Sequence, residues 1–288
     1  MSEFRIDDLS AVPDAALLEA VNEAFADYAV PLNFDQVALD TMLRRRGFDA
    51  SLSAGVFQGG RLLAFHLICR GAWDGRPVVY DAASGVVPAA RNQRLSRQMF
   101  SWLAPRWRAA GMAQCRLEVM EENTMAQRSY EATGFKRVRQ FDCLSLRNAG
   151  HVVVPDGLVL GSEESNVLPV GFADWLEDAP SWQNSVAAMA ATPQRFLRIS
   201  LEQDGQCRAA GLVNPASGEA PLFAVDPQWR RRGAGRALVA AMRQQSTLPL
   251  RFINLKTGGS AAALVRAMGA ESLGGQWEMA WDLGQQSG

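Results

Sequence analysis

Val225-Asp226-Pro227-Gln228-Trp229-Arg230-Arg231-Arg232-Gly233-Ala234-Gly235-Arg236-Ala237-Leu238 is the stretch on which the reading of this chain turns. A short apolar strand ending in Phe223, Ala224 and Val225 runs into a turn at Pro227. An Arg-x-x-Gly-x-Gly loop follows and opens directly into an amphipathic helix. The first turn of a helix leaves main-chain N–H groups without partners, and the helix dipole adds partial positive charge there. Glycine removes the Cβ that would hold a phosphate away, so Arg230 to Arg236 form a candidate pyrophosphate cradle. The spacing is neither the Gly-x-Gly-x-x-Gly of dinucleotide folds nor the Gly-Lys-Ser/Thr of a Walker loop. Alone, it reads equally as an arginine-rich surface turn.

A second copy shifts the balance. In Val86-Val87-Pro88-Ala89-Ala90-Arg91-Asn92-Gln93-Arg94-Leu95-Ser96, setting Pro88 on Pro227 gives an offset of 139 residues (227 − 88). Arg91 then falls on Arg230, Arg94 on Gly233 and Ser96 on Gly235. Upstream of each loop lies a hairpin signal, Gly59-Gly60 in one half and Asp204-Gly205 in the other. Downstream of each come a helix, a short strand, a second helix and a glycine with a hydrophobic residue, Gly134-Phe135 and Gly269-Ala270. Agreement at several separate points indicates repetition at domain scale.

Bulk properties fit two ordinary domains in 288 residues, with 48% hydrophobic and 20% charged residues. Basic and acidic residues number 18 and 17 over 1–148 and 11 and 13 over 149–288, so neither half has the excess of a nucleic-acid binder. Cys69, Cys115, Cys143 and Cys207 are scattered without a Cys-x-x-Cys spacing, which reads as buried thiols rather than a disulfide framework. His66 and His151 stand apart in sequence, leaving little for a metal site or a histidine-dependent triad. No metal is expected. Met1-Ser2-Glu3-Phe4-Arg5 lacks a signal-peptide pattern and no apolar run is long enough to span a bilayer, so a reduced, cytoplasmic compartment is the expectation.

Periodicity predicts helices over 14–28 and from Asn33 or Asp35 to Arg46, then strands near 52–58, 61–70 and 76–87. A helix over 95–110, a strand at 114–119, a helix at 124–133 and a strand at 136–147 complete the first half. The second half reads as helices at 172–177 and 182–191, strands at 195–203, 206–214 and 220–226, a helix at 234–246, a strand at 249–255, a helix at 260–268 and a strand at 274–283. Arg147-Asn148-Ala149-Gly150 is a turn, giving expected domains 1–149 and 150–288. Val152–Val154 and Leu158–Leu160 then open the second copy. Such an order suggests an α/β chain built on mixed sheets with helices on both faces.

The Arg-x-x-Gly-x-Gly loop resembles the acetyl-CoA loop of the GNAT superfamily of N-acetyltransferases, whose pattern is Gln/Arg-x-x-Gly-x-Gly/Ala. Asn123-Thr124-Met125-Ala126-Gln127-Arg128-Ser129-Tyr130-Glu131-Ala132-Thr133-Gly134-Phe135 is similar to the family's Asn-x-x-Ala-x-x-x-Tyr-x-x-x-Gly-Phe segment. The resemblance covers nearly the whole chain, twice. It implies two tandem GNAT-like domains, each a splayed mixed β-sheet flanked by helices, with acetyl-CoA as acyl donor and the amine of a small molecule or peptide as acceptor. A monomer or homodimer is expected, with no nucleic-acid or membrane partner.

By the same resemblance Tyr130 takes the role of general acid and Asn123 that of a cofactor contact. Glu118, Asp81 and Glu219 are candidate bases, each also readable as a solvated carboxylate. Cofactor contacts are expected at Phe223–Val225 and Arg230, Arg231, Arg232, Gly233, Ala234, Gly235 and Arg236. In the first half they are expected at Val86, Arg91, Asn92, Gln93, Arg94, Leu95 and Ser96. Each copy departs from the pattern. The first loop lacks both glycines, whereas in the second half Val265 stands where the tyrosine would be and Gly258 where the asparagine would be. The second loop is therefore the stronger candidate for the tighter site. A non-catalytic acyl-CoA-binding or regulatory protein is the alternative. Of the eight tryptophans, Trp73 in a Gly-Ala-Trp-Asp-Gly turn is the candidate substrate contact.

Overall fold

The computed structural model describes residues 4–27 and 33–284, as two compact units. One runs to Val138 and takes in the chain from Glu278 onward; the other is Arg139–Trp277. The Arg147–Gly150 turn therefore lies inside the second unit, not at its edge. Strand hydrogen bonding is the reason. Strand β6, Lys136–Leu146, pairs through Phe141–Leu146 with the second unit's β11, Leu250–Lys256. Strand β12, Glu271–Asp282, ends among first-unit side chains, with Gln114 bonded to Asp282 at 2.9 Å.

In the first unit, helix α1 (Asp14–Phe25) places Leu17, Val21 and Phe25 at helical spacing, all buried. The expected end of this helix at Tyr28, and residues Met1–Glu3, lie outside the described residues. Helix α2 (Gln36–Arg46) starts at Asp35, whose carboxylate accepts from Ala38 N at 2.7 Å, and stops at left-handed Gly47. Three arginines in its last turn face the negative end of the dipole.

The first-unit sheet runs β1 (Arg5–Asp7), β2 (Ala54–Gln58), β3 (Arg61–Trp73), β4 (Arg76–Val86), β5 (Gln114–Met120), then the end of β12. β1 went unseen in the sequence because three residues carry no readable alternation. Neighbours through β4 are antiparallel, and β4 pairs with β5 in parallel only over Val78–Asp81. Beyond that pairing the two strands part. Helix α3 (Leu95–Ala109) buries Met99, Phe100, Leu103 and Trp107, and Trp107 Nε1 donates to Leu52 O at 2.9 Å. Helix α4 (Thr124–Glu131) follows β5.

In the second unit, β7 (Val159–Glu164), β8 (Leu197–Gln203), β9 (Gln206–Val213) and β10 (Phe223–Val225) form an antiparallel sheet in the order β10-β9-β8-β7. Of the two predicted helices, 172–177 is a 3-10 turn, Phe172–Trp175. The other, 182–191, splits into a 3-10 turn and α5 (Val186–Ala191), with Ser185 capping through Ala188 N at 3.1 Å. Val152–Val154 has no regular structure. Helix α6 (Ala234–Gln244) is buried on most sides through Ala237–Met242, and α7 (Ser260–Ala267) buries Ala262 and Val265.

One joint in this unit sets up the site. The segment leading to β10 touches β11 in parallel at Glu219↔Arg251, where Ala220 N donates to Arg251 O at 2.9 Å and Arg251 N to Gly218 O at 2.7 Å. Gly218 is left-handed, and a Cβ there would sit 2.2 Å from Pro249 O, so the joint requires glycine. From this hinge β10 and β11 diverge, and on the β11 side Asn184 Nδ2 donates to Ile253 O at 2.6 Å.

Candidate functional site

A cavity of about 460 Å³ fills the wedge between β10 and β11 in the second unit. Phe223, Ala224 and Val225 form one wall, Asn254, Leu255 and Lys256 the other, and Arg230, Arg231, Gly233, Gly235 and Arg236 close one end. Eight cofactor-contact residues expected from the sequence thus meet in one place. Arg232 and Ala234 do not join them. Arg232 lies over the Trp229 ring at 5.2 Å, and Ala234 is buried beneath the first turn of α6.

The loop geometry suits an anion. Gly233 is the N-cap of α6 at φ 87°, and Arg231 before it is also left-handed at φ 60°. Main-chain N–H groups of the first helical turn face outward past a residue with no side chain. Neither Arg231 nor Arg236 forms an ion pair with any described residue. Arg230 is different. Its Nε donates to Val225 O at 3.3 Å, Nη2 to Trp175 O at 2.6 Å and Nη1 to Glu177 Oε1 at 2.7 Å. The guanidinium therefore ties the loop to Trp175–Pro180, which lines the same cavity.

That segment was invisible in the sequence. Trp175, Leu176, Glu177, Asp178, Ala179 and Pro180 carry no motif, yet Arg230 and Lys256 draw them to the cleft, the latter by Nζ to Asp178 Oδ1 at 2.5 Å. Glu177 and Asp178 are the carboxylates that line this cavity. Glu219 is not among its lining residues, because it sits at the closed hinge of the wedge.

The first unit repeats the loop with different contents. Asn92 (φ 65°) and Arg94 (φ 56°) take the left-handed positions of Arg231 and Gly233. Arg94 thus holds a conformation that costs a side-chain-bearing residue on the order of 1–2 kcal/mol. Arg91 forms the same fork as Arg230, to Val86 O at 3.2 Å, Ala24 O at 3.1 Å and Asp27 Oδ1 at 2.8 Å. Its hydrogen bond holds the Asp27 carboxyl below the ordinary range. Gln93 and Arg94 are exposed, and Leu95 is buried under the helix start.

Ser96, at the second glycine position, points to a buried polar cluster. Its Oγ lies 3.2 Å from His66 Nε2, and the Ser96 carbonyl is at the same distance. His66 Nδ1 faces Asp81 Oδ2 at 2.9 Å and Ser84 Oγ at 2.5 Å, and Ser84 donates to Asp81. His66 is completely buried and Asp81 nearly so. The histidine that stands isolated in sequence is thus well partnered, and Asp81 is closed off from solvent rather than placed as an exposed base. In the second unit Gly211 pairs with Phe223 as His66 pairs with Ser84, and Met242 fills the space a Cβ on Gly211 would need. One copy packs this spot with apolar atoms, the other with hydrogen bonds.

The remaining first-unit candidates are also placed. Tyr130 is half-buried, its ring edge-on to Phe100 and Phe135 at centroid distances of 6.2 and 5.7 Å. Asn123 caps α4 by accepting from Ala126 N at 3.1 Å. Trp73 is half-buried, its ring under the Arg116 guanidinium at 4.0 Å. Glu118 accepts a hydrogen bond from Tyr80, whose phenol is raised well above its ordinary value by burial and then by the Glu118 charge. The folded chain keeps a proton that the unfolded chain releases near pH 10, so stability falls as pH rises through that value. Ultraviolet titration should show fewer than all three tyrosines of the chain ionising before unfolding begins. A full three-tyrosine change with the fold intact would contradict the Tyr80 placement.

No protein-family model matches the chain, and no curated protein matches it in sequence. Solved structures do. A tandem GNAT protein from the clavulanic acid biosynthesis pathway superposes with TM-score 0.74 at 17% identity, over 99% of this chain and 100% of that one. A GCN5-related N-acetyltransferase from Sphaerobacter thermophilus gives 0.67 at 15% identity, over 97% and 96%. One from Anabaena variabilis gives 0.65 at 9% identity, over 98% and 73%. The chain has the tandem GNAT fold, a mixed α/β architecture. Among the described residues no helix is long and apolar enough to cross a membrane, and no cluster of His, Cys, Asp and Glu could hold a metal.

Proposed function

We propose that the second unit binds acetyl-CoA in the wedge between β10 and β11, and that the protein transfers the acetyl group to the amine of a small molecule or peptide. One observation carries this reading: an open wedge ends at a glycine loop and helix start, with Arg231 and Arg236 forming no ion pair with any described residue. Acetyl-CoA supplies a thioester, an acyl group already activated toward amines. Arg231 and Arg236 would neutralise phosphate charge, and the N–H groups of α6's first turn would hydrogen-bond it. The edge of β10, and that of β11 beyond the Ile253 carbonyl held by Asn184, would accept from and donate to the pantetheine amides. Glu177 and Asp178, held by Arg230 and Lys256, would line the acceptor's approach. As the amine nitrogen bonds to the carbonyl carbon, the C–S bond would break and coenzyme A would leave as the thiol with the proton the amine releases. The shared fold with proteins named N-acetyltransferases supports the reading.

A non-catalytic acyl-CoA-binding role is the second reading, favoured by one fact. Among the described residues that line the second-unit cavity there is no tyrosine to protonate a leaving thiolate. Calorimetric titration with acetyl-CoA, followed by a CoA-release assay over a broad amine panel, separates the two. Binding with release on some amine is the expected result. Binding without release on every amine establishes the second reading, and no binding at millimolar concentration removes both.

A further inference from the structure

Arg230 and Arg91 make the same three-way contact in two units whose loops otherwise differ. In each, Nε donates to the carbonyl that closes the preceding strand, Val225 or Val86. The terminal nitrogens reach a backbone carbonyl and a carboxylate on a segment far back in the chain, Trp175 and Glu177 in one unit and Ala24 and Asp27 in the other. Arginine suits this because its planar fork donates in three fixed directions at once, which lysine cannot do. Gly233 and Gly235 changed to Arg94 and Ser96 between the copies, while the fork did not.

In the second unit the fork joins two walls of one cavity. Arg231, Gly233 and Arg236 lie on one side, and Trp175, Glu177 and Asp178 on the other. The Lys256–Asp178 pair ties the same segment to β11 but does not touch the loop. Arg230 is therefore the side chain that joins the loop to this wall by direct hydrogen bonds.

We propose that Arg230 is a positioning residue: it couples the loop holding the cofactor's phosphates to the wall that receives the acceptor, so that CoA orders both. The proposal rests on the CoA reading above. Ordering the loop fixes the guanidinium, and the guanidinium fixes Trp175 O and Glu177. The carboxylate arm is exposed at Glu177, so it competes with water unless the loop is held.

Hydrogen-exchange mass spectrometry on the full chain, with and without saturating coenzyme A, tests this. In the wild type, CoA should slow exchange in peptides covering 231–238 and 173–180 alike. In Arg230→Gln, protection at 231–238 should persist while that at 173–180 falls roughly tenfold, the equivalent of one charge-assisted contact. Glu177→Gln removes one arm of the fork at an exposed position and should give a partial loss in the same peptide, so the test survives if Arg230→Gln does not fold. A purely structural arginine would lower protection in both peptides together. Protection at 173–180 that persists in both variants, or is missing from the wild type while 231–238 is protected, overturns the coupling. Protection at neither peptide removes the CoA reading, and the coupling with it.

Discussion

Gly233→Asp is expected to weaken CoA binding by about 30-fold to 1000-fold, a loss of about 2–4 kcal/mol, while leaving the fold in place. A clash with neighbouring atoms is not the cause. A Cβ at Gly233 would meet Pro155 Cγ at 3.6 Å, an ordinary contact. Aspartate is among the residues that enter the left-handed region most readily, and Arg94 already holds the matching position at φ 56° in the first unit. A carboxylate at this N-cap also favours the helix dipole, so α6 itself gains. What remains is charge. A phosphate about 5 Å from the new carboxylate, at an effective dielectric near 20, is repelled by about 3 kcal/mol per unit charge. Calorimetry should show the affinity loss together with a modest fall in unfolding temperature, since a side-chain-bearing residue at φ 87° costs about 1–2 kcal/mol; Gly233→Asn shares that fall. Gly233→Asn, carrying shape without charge, should keep most of the affinity, and Arg94→Asp should leave it unchanged. If Arg94→Asp abolishes binding and Gly233→Asp does not, the gripping loop is in the first unit.

How much of this was legible in the sequence follows from what each feature depends on. The loops and hairpins were readable because Pro88, Pro227, Gly233 and the Gly59-Gly60 pair restrict backbone angles locally. Long strands such as β3 and β6 were readable from their apolar runs. The wall at Trp175–Pro180 was not, because hydrogen bonds across 53 residues to Arg230 and 78 residues to Lys256 bring it to the site. For the same reason the cluster of His66, Asp81, Ser84 and Ser96 looked like an isolated histidine. Spacing cannot reveal a side-chain direction, so Arg230 and Arg91 read as phosphate ligands while their guanidinium groups are occupied by carbonyls and carboxylates. The division at 149/150 was inferred from a turn, but strand partners far apart in sequence set the compact units.

The second large effect lies away from the cleft, at a buried ion pair in the first unit. Arg116 Nη2 meets Glu278 Oε2 at 2.7 Å, with side chains only 6% and 1% exposed. Arg116 also donates to Gln114 Oε1 at 2.6 Å and lies 4.0 Å over the Trp73 ring. Burying such a pair costs much of what the Coulomb attraction returns, so the pair adds little net stability over an apolar substitute. Removing one partner is another matter, because the other charge is left dry and uncompensated. Glu278→Ala should therefore destabilise the first unit by about 3–5 kcal/mol. The consequence reaches beyond one contact, since Glu278 opens the last stretch of chain that this unit recruits. Arg108 Nε holds Leu283 O at 2.6 Å further along it. Differential scanning calorimetry should show one transition shifted well down in temperature and a second, from the other unit, moved much less. The double variant Arg116→Met/Glu278→Leu, which removes both charges and keeps the volume, should recover most of the loss. If Glu278→Ala melts within a degree or two of the wild type, Arg116 finds solvent or another partner, and the buried pair does not hold the chain's last strand in place.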